Sequence, residues 1–184
     1  AIPYALGKLD SISQAADPVF KVLSARTQLI NKVYHLSTEL EFELSEEILA
    51  ALKNGVPIVL ALDIEITRER NYMWEKTLAT LTQRYQLQYH ALAEQYILRN
   101  LNSGSQLNYS SLYRALAELK QINNLPLIDS TLLSCQPACI GNLQIYIALD
   151  ALPTPLLLTA YFSSAWRLSS DWYRWDLVTN NPVD

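Results

Sequence analysis

Few side chains in this sequence are of a type and spacing that could do chemistry. The two cysteines share one short segment, Cys135-Gln136-Pro137-Ala138-Cys139. They can be free thiols, half of a metal site, or a small disulfide loop. The disulfide is the favoured reading, because a turn at Pro137 brings the two ends together. Zinc held by Cys135, Cys139 and His90 is an alternative, but without a recognised ligand spacing. His35 and His90 are the only histidines. His90 lies in Tyr89-His90-Ala91 at a strand end and could be a base or a ligand. No motif sets a carboxylate or thiol beside it, which favours a hydrogen-bonded structural histidine. Asp63 and Glu65 sit two residues apart on one strand face. They could work as an acid–base pair, yet the wet side of a strand accounts for both more simply. A G-x-S-x-G nucleophile signature is absent. The expectation is no catalytic group, no metal and no cofactor.

A second set of residues suits recognition. Trp166, Trp172 and Trp175, with Tyr161 and Tyr173, fall within one short span. Exposed indoles stack on sugar rings or anchor a protein partner. Buried ones would plug the end of a sandwich or barrel, and Trp is on average mostly buried. Arg68, Arg70, Arg167 and Arg174 would give such rings an anion-receptive rim. The candidate binding residues are therefore Arg68, Arg70, Trp74, His90, Trp166, Trp172, Arg174 and Trp175.

Strands must position these groups. From Val56 to Trp74 the chain alternates cleanly. Ile58, Leu60, Leu62, Ile64 and Ile66 face one way, and Val59, Ala61, Asp63, Glu65 and Thr67 the other. Period two is the signature of a strand with one face buried, and this one is expected at the centre of the fold. Val19 to Ile30 and Val33 to Leu44 predict an antiparallel hairpin about Asn31-Lys32, a turn without glycine and so of open type. Leu36, Leu40, Phe42 and Leu44 point inward with Thr38. Ser37, Glu39, Glu41 and Glu43 point out, a solvated face that also discourages edge pairing. Ser45 to Asn54 predicts a short helix with Ser45 as N-cap, Glu46 and Glu47 in the first turn, and Gly55 beyond the end.

Further strands are expected from Leu78 to Tyr89 and from Ala93 to Leu98, followed by a loop at Asn102-Ser103-Gly104-Ser105. Ser110 to Ile122 reads as an amphipathic helix capped by Asn108 or Ser110 and stopped by Asn123-Asn124 and Pro126. Leu143, Ile145, Ile147 and Leu149 form a buried strand face after Gly141. Pro155 could open a short helix. Ala165 to Val178 reads as a strand pair or a strand after a tight corner. Together these elements predict a mainly β (α+β) fold: an antiparallel β-sandwich or open barrel with two or three short helices. Residues 1–18 are expected to form a loosely ordered arm, and residues 19–184 a single β-rich domain.

Composition narrows the function further. The formal net charge of −4 argues against a nucleic-acid partner. Only four glycines disfavour a phosphate-cradling loop. No apolar run approaches the roughly 18 residues of a membrane helix, so the chain is not expected to be transmembrane. It opens Ala1-Ile2-Pro3, without an initiator Met or a basic-then-apolar leader. That suits either a recombinant form or a processed one with its signal peptide removed. A structural disulfide would imply an oxidising compartment.

Several separated stretches resemble one family, the domain of unknown function DUF4390. They are Leu52 to Ile66 with Trp74 following, Tyr85 to Tyr96, Ala115 to Leu119, Leu149 to Leu156 and Trp166 to Trp175. Their order and spacing carry the resemblance; no single motif is specific. His90 falls within the family pattern, whereas the cysteine loop does not belong to it. The resemblance implies an exported proteobacterial protein, periplasmic or on the cell surface, with no established activity. It also implies members encoded beside a membrane sensor kinase of the nitrogen-regulation type. The expected function is an exported, non-enzymatic interaction module with a protein partner in the envelope, its ligand unknown. The alternative is a glycan or small-ligand module using Trp166, Trp172 and Trp175. A hydrolase with His90 beside a carboxylate and a nucleophile stands behind both.

Overall fold

The computed structural model describes residues 19–70 and 73–177. The N-terminal arm expected over residues 1–18 lies outside them. Two strands, β1 (Phe20–Ile30) and β2 (Val33–Phe42), form the expected antiparallel hairpin. Asn31 and Lys32 at its turn both have positive φ, 48° and 66°. This is the left-handed backbone a tight two-residue hairpin demands, reached here without glycine. Helix α1 (Glu46–Lys53) follows, and the Ser45 hydroxyl accepts the Ile48 amide at 3.3 Å. Gly55, with φ of +83°, turns the chain out of that helix.

Strand β3 (Ile58–Arg68) is central. It pairs antiparallel with β4 (Lys76–His90) on one side and β8 (Cys139–Ile147) on the other. The larger sheet is completed by β5 (Gln95–Asn100), β6 (Gln106–Tyr109) and β9 (Tyr173–Asp176), in the order β6-β5-β4-β3-β8-β9. A smaller sheet has the order β1-β2-β7, with β7 running Gln121–Asp129. All the pairings are antiparallel, and neither sheet closes into a barrel. The fold is the open sandwich of the two expected forms.

The core lies between the sheets. Ile58, Leu60, Leu62, Ile64 and Ile66 are fully buried there against Tyr34, Leu36, Leu40 and Phe42. The inward Thr38 has a specific role. Its hydroxyl donates to the Ser24 carbonyl at 2.7 Å, where β1 shifts register between Val22 and Ser24. A bulge leaves backbone groups unpaired, and a buried hydroxyl satisfies one of them. Ile48 and Leu52 of α1 join the core, as do Ala115 and Leu119 of helix α2 (Leu112–Lys120).

Several expectations are corrected. Ile122 does not end α2, and Asn123, Asn124 and Pro126 do not end the element; all four lie within β7. The strand tolerates them because it is a margin of its sheet and shifts register against β2 at two places. Asn124 takes a φ of 52° there, and its amide donates to the Ser37 hydroxyl at 3.2 Å. The cap of α2 is Ser111, not Asn108 or Ser110. Strand β6 follows the Ser105 loop where none was expected. Leu149 leaves the β8 strand face for a 3-10 turn, and helix α3 (Thr154–Phe162) carries Pro155 in its first turn.

Candidate functional site

The structure divides the nominated aromatic residues. Trp166 and Trp175 are buried in the core and present no surface to a ligand, which corrects their place in the binding set. The Trp175 indole donates to the Thr27 hydroxyl at 3.4 Å, joining β9 of one sheet to β1 of the other. Trp172 is 46% exposed and Trp74 93%. Arg68, Arg70, Trp74 and Arg174 gather at one end of the sandwich, where β3 ends and β4 begins. There Arg174 is paired with Glu75 and lies 3.7 Å from Glu69. The Arg174 guanidinium holds the Glu75 carboxyl below the usual carboxylate range, helped by the Thr67 hydroxyl at 3.1 Å. Arg68 donates to the carbonyl and hydroxyl of Ser134. Arg70 is exposed.

His90 sits at the far end of β4 from Trp74. Its Nδ1 accepts the Ala93 amide at 3.3 Å, so the ring shapes a turn. Cys135 and Cys139 are joined in a disulfide, as the sequence favours, across a cis Gln136-Pro137 bond. Their thiols are thereby consumed, and with them the zinc alternative.

Sequence reasoning missed a groove on the outer face of the larger sheet, about 430 Å³ in volume. Its floor is built from neighbouring strands. Asp63 on β3 faces Thr82 of β4 and Gln144 of β8 in register, and Tyr146 lies one step along β8 from Gln144. The Thr82 hydroxyl donates to Asp63 Oδ1 at 2.7 Å. Burial pushes the Tyr146 phenol up, and the Asp63 charge beside it pushes the same way. Tyr146 therefore stays a protonated donor at neutral pH. Val59 and Ala61, buried on the same face beneath Tyr146, Ala148 and Ala151, give that floor its apolar footing.

The wall comes from a different part of the chain. Tyr161 projects from α3, and Arg167, Leu168 and Ser169 follow it. This segment runs along β8 as a substitute strand. The Ile147 amide donates to the Leu168 carbonyl at 3.0 Å, and the Ser170 amide to the Ile145 carbonyl at 2.8 Å. The Ser170 hydroxyl accepts the Ile145 amide at 3.0 Å, and the Gln144 side chain donates to the Ser170 carbonyl at 2.8 Å. At the lip Arg84 donates to Asp150 at 3.0 Å. Arg167 has no ion-pair partner among the described residues.

The one signal in the sequence was the row Asp63, Glu65, Thr67 on the wet face of an otherwise apolar strand. What covers that face is set by α3, whose apolar residues run all round and mark no side.

The groove's chemistry is that of a fixed receptor. Two carboxylates and an amide hold set positions by hydrogen bonding beside the Tyr146 phenol, and Tyr161 and Arg167 stand at the rim. Such a floor can accept hydroxyls, amides or a cationic side chain from outside. No curated protein and no solved structure matches the chain. Residues 18–176 match the model of the family described as Domain of unknown function (DUF4390), and the chain belongs to that family.

Proposed function

We propose that this protein is an exported, non-enzymatic interaction module of the bacterial envelope, periplasmic or on the cell surface. Its groove receives an extended segment of a protein partner, of the kind that serves a membrane sensor kinase. One observation carries this reading: the acids of the groove are already engaged. Asp63 is held by Thr82 and Asp150 by Arg84, so they are anchored acceptors and not mobile bases. Tyr161 and Arg167, exposed at the rim, supply the aromatic and guanidinium contacts that dominate protein recognition. The Cys135–Cys139 disulfide suits an oxidising compartment.

The test is capture of partners from periplasmic extract by wild type, Tyr161→Ala/Arg167→Ala and Trp172→Ala. The groove reading expects one captured protein to be lost with the rim double variant while the fold is kept. Equal capture by all three sinks it. The glycan alternative retains Trp172 but has lost Trp166 and Trp175 to the core.

A further inference from the structure

The inner row of β4 has one break in its pattern. Leu81, Gln83, Tyr85 and Leu87 pair with Ile64, Leu62, Leu60 and Ile58 of β3, all core residues. Gln83 therefore stands where an apolar side chain belongs. On β5, Asn100 pairs with Tyr85 and continues the inner row of Leu98. The smaller sheet faces them with amides of its own. Between the pairs Leu36–Leu125 and Thr38–Ile122, Asn123 and Asn124 of β7 oppose the single residue Ser37. Such a bulge re-aims the side chains it carries. Gln83, Tyr85, Asn100, Asn123 and Asn124 all line one cleft between the sheets, about 460 Å³ in volume.

No charged side chain lines this cleft. Asn102 at its edge is already engaged, accepting the Arg84 amide at 2.8 Å and donating to the Thr82 carbonyl at 2.9 Å. Asn100 directs its Oδ1 to the Asn102 and Ser103 amides and keeps its NH2 group free. The side chains of Gln83, Asn123 and Asn124 and the Tyr85 phenol bond to no other group among the described residues. No buried side-chain nitrogen or oxygen there lacks a partner, so these free groups are reachable from outside. Burial pushes the Tyr85 phenol up, and it stays protonated at neutral pH.

We propose that this inter-sheet cleft binds a neutral oligosaccharide. A sugar hydroxyl donates and accepts at once, and so do a carboxamide and a phenol. A charged ligand would lose its hydration with no counter-charge to meet it. A peptide segment offers one donor and one acceptor per residue, and its side chains require charged or apolar subsites. The apolar lining here is limited to Ile122, Leu125 and Pro126, a margin suited to the C–H face of a pyranose. The volume falls within the roughly 300–1,000 Å³ of small-ligand sites. The cleft shares no lining residue with the groove, and Trp172 is not part of it. It is therefore independent of the partner reading and of the Trp172 alternative.

The test is NMR of the full, isotope-labelled chain titrated with maltotriose, cellotriose and N-acetylated chitotriose, and separately with N-acetyl-trialanine amide. At least one sugar should shift the side-chain amide signals of Gln83, Asn100, Asn123 and Asn124, at low and high salt alike. Gln83→Leu, which restores the apolar row, and Asn123→Ala should each keep the circular dichroism of the wild type. Combined, they should weaken binding about tenfold, for two neutral hydrogen bonds lost. Trp172→Ala and Tyr161→Ala/Arg167→Ala should bind as wild type. The proposal is overturned if none of the sugars moves those amides, or if the peptide moves them and the sugars do not. Loss of a bound sugar in Trp172→Ala but not in the cleft variants also overturns it. The shifts are read on the wild type, so a cleft variant that misfolds leaves the result intact.

Discussion

The Trp175 indole packs directly on the bare α-carbon of Gly141, its partner in register across β8 and β9. A β-carbon at Gly141 would overlap the six-membered ring of the indole. That ring cannot swing clear, because it is buried and its nitrogen is bound to Thr27 on the other sheet. Gly141→Ala should therefore destabilise by about 1–3 kcal/mol, the range for forcing extra volume into a packed core. In urea denaturation, Trp175→Ala should cost about 3–5 kcal/mol. The double variant should cost clearly less than the sum, since removing the ring removes the clash.

Thr38 makes a more local prediction. Thr38→Val keeps the shape but leaves the Ser24 carbonyl at the β1 bulge without its donor. The expected loss is about 1–3 kcal/mol, that of orphaning a buried acceptor. Thr38→Ser, which retains the hydroxyl, should recover part of it. An unchanged Thr38→Val with a destabilised Thr38→Ser would mean that the methyl, not the hydrogen bond, matters.

The Glu75–Arg174 pair sets a pH dependence with a definite sign. Glu75 is held ionised below the usual carboxylate range, first by its hydrogen bond from Arg174. A depressed folded pKa adds stability above the unfolded value, about 4.3 for Glu. That stability is lost as pH falls through the lower folded value. The pair is largely exposed, so the effect is small. Carbon-detected NMR titration should place the Glu75 midpoint below the usual carboxylate range. Arg174→Gln should return it to the ordinary range.

The disulfide closes a very short ring, so its contribution is modest. Cys135→Ser/Cys139→Ser should lower stability by about 2 kcal/mol on chain-entropy grounds. Reduction of the wild type should match it. Intact mass before and after reduction gives the oxidation state of the purified protein. Arg68, whose guanidinium contacts Ser134 in the same loop, should not contribute further once the ring is open.

Much of the architecture was legible because burial follows side-chain alternation. Ile58 to Ile66 and Leu36 to Phe42 each turn one apolar face into the core where period two puts it, but Val59, Ala61 and Thr67 on the expected wet face of β3 are buried as well. The α1 boundary was legible in Ser45 and Gly55, since capping is local chemistry. Strand β7 was not, because Asn123-Asn124-Pro126 carries every local mark of a stop. Only pairing with β2 across a shifted register makes it a strand. The disulfide was legible from spacing, whereas the fate of the tryptophans was not. Trp172 and Trp175 are three residues apart, yet one is half-exposed and the other buried over a glycine from a distant segment. The groove was hidden for the same reason: Asp63, Thr82, Tyr146 and Arg167 meet only after α3 has folded back.

Strands β6 and β9, at the two margins of the larger sheet, are only four residues long. Another copy approaching either flank meets few unsatisfied amides with which to zip up. Growth of fibres by edge-to-edge addition along this sheet is therefore poorly templated at both of its margins.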